Sequence, residues 1–98
     1  MHKTNISRLV MDVLKPHNPP LHILSMELVQ LVNSGIEGVN ITLEEYDRMT
    51  QTIKIAIQGK NLDYDIISQK LEELSCSIRS VDQVICGLIV EYIETPQD

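Results

Sequence analysis

The sequence predicts a single α+β domain in which one antiparallel sheet carries two helices on the same face. Three observations predict this fold class. Four segments alternate apolar and polar side chains as strands do, two segments repeat apolar side chains at helical spacing, and the six segments follow in the order βαββαβ. Because 98 residues suit one domain, we expect residues 1–98 to form a single unit.

The first half of the chain predicts strand, helix and strand. Residues 6–15 alternate, and "PHNPP" ends this first strand because proline cannot donate to a sheet. Apolar side chains then recur every three or four residues, which predicts a helix over 20–34 that starts at Pro20 and ends at the flexible cap Gly35. Alternation resumes over 38–46, the second strand.

The second half repeats this pattern. The segment "QTIKIAIQG" predicts a third strand over 51–59, residues 64–75 predict the second helix, and residues 78–93 predict a long fourth strand in which Gly87 is a candidate bulge. The chain has thirteen isoleucines but no phenylalanine or tryptophan, so we expect a core of branched aliphatic side chains, which favour strands.

The stretch "NLDYD" at 61–65 has the alternating oxygen ligands with which a calcium loop begins. Two observations favour a helix start instead. Ile66 stands at the sixth position, where a calcium loop needs glycine for its sharp turn, and Asp63 is a good N-cap for a helix beginning at Tyr64. Glu72, the twelfth position, would then lie about 13 Å along the axis from Asp63. We therefore predict a capped helix here.

Two βαβ halves joined by a hairpin form the ferredoxin-like arrangement, with the expected strand order 4-1-3-2 and both helices on one face. The helices should cover the odd-numbered side chains of the central strands, which are Leu9, Met11, Val13, Ile53, Ile55 and Ile57. The opposite face should carry Arg8, Asp12, Asn40, Thr42, Glu44, Lys54 and Gln58.

Charge and composition exclude some partners. A net charge of −6 without clusters of Lys or Arg argues against nucleic acid. The N-terminal segment has neither a signal peptide nor a membrane span, so we expect a cytoplasmic protein that does not bind membranes. Cys76 and Cys86 would lie about 33 Å apart in one strand, which predicts reduced packing residues rather than a disulfide.

The segments "VMDVLKPHNPP", "EGVNITLEEYD", "IKIAIQGKNLDYDII", "SIRSVDQVICG" and "TPQD" together resemble a family of small archaeal proteins, domain of unknown function 211. The resemblance spans nearly the whole chain. It implies an archaeal source, a ferredoxin-like fold and homo-oligomers, and it implies no activity. The sequence departs from expectation at Ser75-Cys76, where a glycine-bearing helix cap would be expected.

Asp12 is unusual as a mid-strand residue on a central strand, where aspartate is depleted. One interpretation pairs it across strands with Lys54 or Arg79. The other makes Asp12 and Glu44 ligands of a hard cation, Ca²⁺ or Mg²⁺, and no other cofactor is indicated. The loop "KPHNPPL" is either a rigid connector or, by analogy with amino-acid-binding ACT domains of the same architecture, part of an effector site.

Catalysis finds no support, because the chain has no phosphate-binding glycine loop, nucleophile elbow or HExxH motif. We therefore expect a non-enzymatic, homo-oligomeric regulatory module that binds a small ligand or a cation. The alternative is an assembly or protein-interaction module without a small ligand.

The fourth predicted strand indicates how copies associate. Its apolar run places branched aliphatics on both faces, and Leu88, Val90 and Tyr92 would have no cover in a monomer. We predict that these three residues form an oligomer interface and that repeated head-to-tail contacts close a ring. The alternative is a strand that bends at Gly87 and folds over its own sheet.

Overall fold

A computed structural model of the chain describes residues 5–87 and 94–96. It has six elements: β1 (Ile6–Pro16), α1 (Leu21–Val29), β2 (Ile36–Tyr46), β3 (Thr50–Gly59), α2 (Tyr64–Glu73) and β4 (Ser77–Cys86). The strands form one antiparallel sheet in the order β2-β3-β1-β4. The ferredoxin-like α+β fold is thus confirmed.

The core lies between the sheet and the helices, on the face predicted from the odd-numbered positions. Met11, Val13, Ile53, Ile55 and Ile57 are fully buried and Leu9 is nearly so. Leu24 and Leu28 of α1 and Ile67 and Leu71 of α2 pack against them. β1 and β3 are the central strands, and their apolar side chains are buried in one cluster with those of the two helices.

The first helix ends earlier than its apolar spacing predicts, at Val29 rather than at residue 34. The Leu31 amide donates a hydrogen bond to the Leu28 carbonyl, which tightens the last turn. The Ser34 hydroxyl then donates to the Leu31 carbonyl at 2.8 Å. The chain has already turned away when it reaches Val32, whose side chain is 75% exposed. Gly35 does have a left-handed φ of 82°, but it serves the turn into β2 instead of capping α1.

The second helix begins as predicted at Tyr64. The Asp63 carboxylate caps it by accepting from the Ile66 amide at 3.1 Å, and Leu62 and Ile67 on either side of the cap are both buried. The helix ends at Glu73 rather than at 75, and Ser75 takes the left-handed φ of 64° that usually falls to glycine. Bonds from Ser75 to Glu72 and from Cys76 to Leu71 close this cap.

The strand boundaries differ from the predictions by one or two residues at most, apart from the end of the fourth strand. The described part of β4 ends at Cys86, and Gly87 follows with a φ of 140° and an amide that bonds the carbonyl of Asn5. The predicted interface residues Leu88, Val90 and Tyr92 lie outside the described residues. Within those residues, no helix has the length and hydropathy needed to cross a membrane.

Candidate functional site

The open face of the sheet brings together the charged residues that the alternation predicts there. One row across the strands runs from Ser80 on β4 through Asp12 on β1 and Lys54 on β3 to Thr42 on β2. Lys54 forms an ion pair with the Asp82 carboxylate, which also accepts from the Ser80 hydroxyl at 2.6 Å. The sheet therefore presents a connected polar surface instead of isolated charges.

Lys54 stands among the carboxylates that were predicted to hold a cation. The hydrogen bond to Asp82 raises the pKa of Lys54, and the negative charges of Glu44 and Asp12 act in the same direction. The Lys54 hydrogen bond in turn lowers the pKa of Asp82. An ammonium group thus already supplies positive charge beside Asp12 and Glu44. In the part of the chain that the structure describes, no three His, Cys, Asp or Glu side chains are grouped so as to hold a metal ion.

Asp12 lies directly opposite Lys54, as one of its two interpretations expected, whereas its partner position on β4 is Ser80 rather than Arg79. Arg79 itself is exposed. Farther along the same face, Arg8 donates to the side-chain oxygens of Gln83 at 2.7 Å and Gln58 at 2.9 Å, so it joins three strands. Two basic residues therefore organise the central part of the open face, each through partners on neighbouring strands.

A groove of about 550 Å³ lies beside the start of α2. It is lined by the "NLDYD" stretch, by Lys60 just before it and by the loop before β2, namely Asn33, Gly35, Lys60, Asn61, Leu62, Asp63, Tyr64 and Asp65. Gly35 and Gly59 let the two chain segments approach closely, since a Cβ at Gly59 would stand 2.0 Å from the Gly35 carbonyl oxygen. The groove offers an ammonium, carboxylates and a phenol to a small polar molecule.

Lys15 is the polar residue that sequence reasoning missed. It continues the buried set of Leu9, Met11 and Val13, and its side chain is 0% exposed. The ammonium donates to the carbonyls of Pro16 at 2.7 Å and His17 at 3.2 Å, and also to the carbonyl of Pro19. The two-residue period was the signal that could have placed Lys15 among the buried residues.

These bonds fold the loop "KPHNPPL" over the end of β1. The loop also contacts the end of β2: the ring of His17 stacks on Tyr46 with centroids 4.7 Å apart, and its Nε2 forms a hydrogen bond with the Asp47 carbonyl at 2.8 Å. Burial lowers the pKa of Lys15 and raises the pKa of the Cys76 thiol, and each group opposes the other's shift through its charge. The packing and bonding of the loop favour the interpretation of this segment as a rigid connector.

The two outermost strands of the described sheet, β2 and β4, are a further candidate surface. They have 11 and 10 residues and run antiparallel to one another. Branched apolar side chains are exposed on both, with Leu43 at 42%, Val81 at 42% and Val84 at 51%. Outer strands present backbone N–H and C=O groups that another strand can pair with, so both edges can extend the sheet.

Comparison with known proteins places the chain in a family. Residues 7–98 match the family DUF211, described as "Uncharacterized ArCR". The chain belongs to the DUF211 family. The Uncharacterized protein MJ0319 of Methanocaldococcus jannaschii is 45% identical over 94 residues, which cover 95% of each chain.

The DUF211 assignment confirms the relationship that the sequence segments indicated, and the match to a methanogen protein supports its archaeal character. Since this relative is itself described as uncharacterized, membership in DUF211 gives the chain a lineage but no activity.

Proposed function

We propose that this DUF211 protein is a non-enzymatic, homo-oligomeric cytoplasmic module whose copies associate through the edges of their sheets and regulate by binding a small ligand. The observation that carries the assembly part is the match between the two edges. Both strands are long, both expose branched aliphatic side chains, and their opposite directions allow one continuous antiparallel sheet across copies. Such head-to-tail contacts close into a ring when the rotation between copies permits.

Association through the edges would also bury apolar surface that is exposed in the single chain. Burying Leu43, Val81 and Val84 against another chain would remove three partly exposed apolar side chains from water, each worth up to about 1.5–3 kcal/mol when fully buried. Backbone hydrogen bonds between the strands would add direction and specificity. The net charge of −6 disfavours nucleic acid as the competing partner.

Sedimentation of three proteins tests the assembly. The native chain is expected to sediment as an oligomer, and the double variant L43K/V81K is expected to dissociate because lysine on an edge strand blocks pairing. Met26→Lys is the matched control, since Met26 is an apolar residue that is 52% exposed and belongs to α1 rather than to an edge strand. An oligomer that survives L43K/V81K but not Met26→Lys would place the interface on the helix layer and overturn the proposal.

Ligand binding is the regulatory part of the proposal, and the groove beside α2 supports it by size and by the chemistry of its lining. A panel of amino acids and other small zwitterions should include one that raises the melting temperature. At one hundred times its dissociation constant, a ligand stabilises by about 2.7 kcal/mol. Lys60→Gln should abolish the shift, while Lys70→Gln, a change of the same kind on α2, should leave it. A shift that survives Lys60→Gln would place the ligand elsewhere.

Cation binding by Asp12 and Glu44 is the second form of this proposal, and Lys54 is its built-in competitor. If these carboxylates bind Ca²⁺ or Mg²⁺, Lys54→Met should strengthen the stabilisation that the ion gives to chelator-treated protein. Asp12→Asn should abolish it, whereas Asp63→Asn should have no effect. Absence of any stabilisation in both the native chain and Lys54→Met would reject the cation.

A further inference from the structure

Resting on the proposed function, we infer the register in which a second copy of the chain pairs with the first: β4 of one copy lies antiparallel to β2 of the next, with Ser80 opposite Thr42 and Val81 opposite Ile41. The inference starts from the rows of the sheet. Ser80, Asp12, Lys54 and Thr42 occupy one row, and the adjacent row runs from Val81 through Met11 and Ile55 to Ile41. A sheet that continues without stagger extends these rows into the neighbouring copy.

Side-chain chemistry favours the same alignment. Thr42 and Ser80 lie on the open, polar face, as their partners Lys54 and Asp12 do. Ile41 and Val81 lie opposite the buried Ile55 and Met11, so they belong to the helix side. The unstaggered register thus places hydroxyl beside hydroxyl and branched aliphatic beside branched aliphatic. A slip of one residue would send each side chain to the wrong face.

Charge complementarity identifies a second copy as the partner and β2 as its pairing strand. In this register Arg79, the extra residue of a bulge between Ile78 and Ser80, would lie between the rows of Leu43 and Thr42, close along the edge to Glu44 and Glu45 of the next copy. All three charged residues are exposed in the single chain. The contact would therefore add a cation to two carboxylates at the edge, beside the aliphatic pairs.

Pairing of like edges is less favourable. Two β2 strands aligned about Ile41 would set Glu37 directly opposite Glu45, twice per contact. Like charges in opposed positions destabilise a strand pair. Two β4 strands aligned about Val81 would give Arg79 only Gln83 as its opposite residue. The β4-to-β2 contact is the arrangement that brings Arg79 towards the carboxylates of a neighbouring copy.

Engineered disulfides test the register directly. In a Cys86→Ser background, S80C combined with T42C should form an intermolecular ladder on oxidation, because directly opposed Cβ atoms come close enough to bridge. The matched controls S80C with N40C and S80C with E44C are each two residues out of register and should stay monomeric in a denaturing gel. Ladders from a control pair alone would overturn the register. No ladder from any pair, in a protein that sediments as an oligomer, would overturn the edge pairing itself.

Charge exchange gives an independent test. Arg79→Glu alone, and Glu44→Arg with Glu45→Arg in a second protein, should each weaken self-association about tenfold or more by opposing like charges at every contact. Mixing the two variants should restore it, since every contact in an alternating assembly again joins opposite charges. Mixing without restoration would contradict the inferred contact. A native chain that is monomeric would instead refute the proposed function on which it rests.

Discussion

Replacement of Lys15 by methionine removes the ammonium that holds the β1–α1 loop while keeping an unbranched apolar stem in its place. Three loop carbonyls, those of Pro16, His17 and Pro19, lose their donor. Hydrogen bonds to a charged group contribute about 1.5–3 kcal/mol each. The variant no longer has to bury a charge, and this offsets several kcal/mol of the lost hydrogen bonding. We expect the free energy of unfolding to fall by about 2 kcal/mol.

Comparison of Lys15→Ala with Lys15→Met separates the contribution of the buried apolar stem from that of the charge. Relative to Lys15→Met, Lys15→Ala removes three further side-chain groups (a methylene, a sulfur and a methyl) at a position that is 0% exposed, which adds roughly 2 kcal/mol if each group counts about as one methylene, at about 0.8 kcal/mol. Urea denaturation of the native chain, Lys15→Met and Lys15→Ala would give both differences.

A local probe distinguishes loop release from general destabilisation. The His17 ring stacks on Tyr46, so its proton chemical shifts should move towards free-histidine values in Lys15→Met under conditions where the core is still folded. If Lys15→Met is as stable as the native chain and the His17 shifts are unchanged, the ammonium does not hold the loop and this account of Lys15 is wrong.

Three further predictions follow from local geometry. Ser75→Gly should raise the free energy of unfolding by about 0.5–1 kcal/mol, because Ser75 has a φ of 64° that glycine adopts without strain; Ser77→Gly in β4 should lower it in the same denaturation experiment. Cys86 is exposed and should react with a thiol reagent at once. Cys76 should react only on unfolding, because burial shields its thiol and raises its pKa. Equal reaction rates of the two cysteines would contradict this prediction. The pKa of Asp82, measured by NMR titration, should lie below the usual 3.8. The stabilisation that this carboxylate contributes is then present above pH 3.8 and is lost as the pH falls through the lower pKa of the folded state. Lys54→Met should return the pKa of Asp82 towards 3.8, and an unchanged titration would refute the ion pair.

Much of the fold could be predicted because each element carries its own local signal. The alternation of β1 and β3 predicted every apolar core residue of the central strands, and Asp63 predicted the start of α2 together with its cap. The end of α1 could not be predicted in this way. Apolar spacing continues through Leu31 and Val32, but the helix ends at Val29, and the carbonyls of Ser34 and Gly35 instead accept hydrogen bonds from the distant Asp63 and Lys60 amides.

The candidate site was predictable only in part. Alternation placed Asp12, Glu44 and Lys54 on one face, but which of several carboxylates pairs with Lys54 depends on strand register and rotamers that a single sequence does not specify. The groove beside α2 depends on a close approach of Gly35 and Gly59 from segments far apart in sequence. The left-handed φ of Ser75 is set by its position after the end of α2, where a glycine is usual, and not by its residue type.

The measurement that tests the central claim most directly is sedimentation velocity of the native chain at micromolar concentration, run beside L43K/V81K. We predict that the native chain sediments at a multiple of 11.1 kDa and that the edge variant sediments as a folded chain of about 11.1 kDa. A native chain that sediments at 11.1 kDa would contradict the claim that copies of this protein associate through their sheet edges.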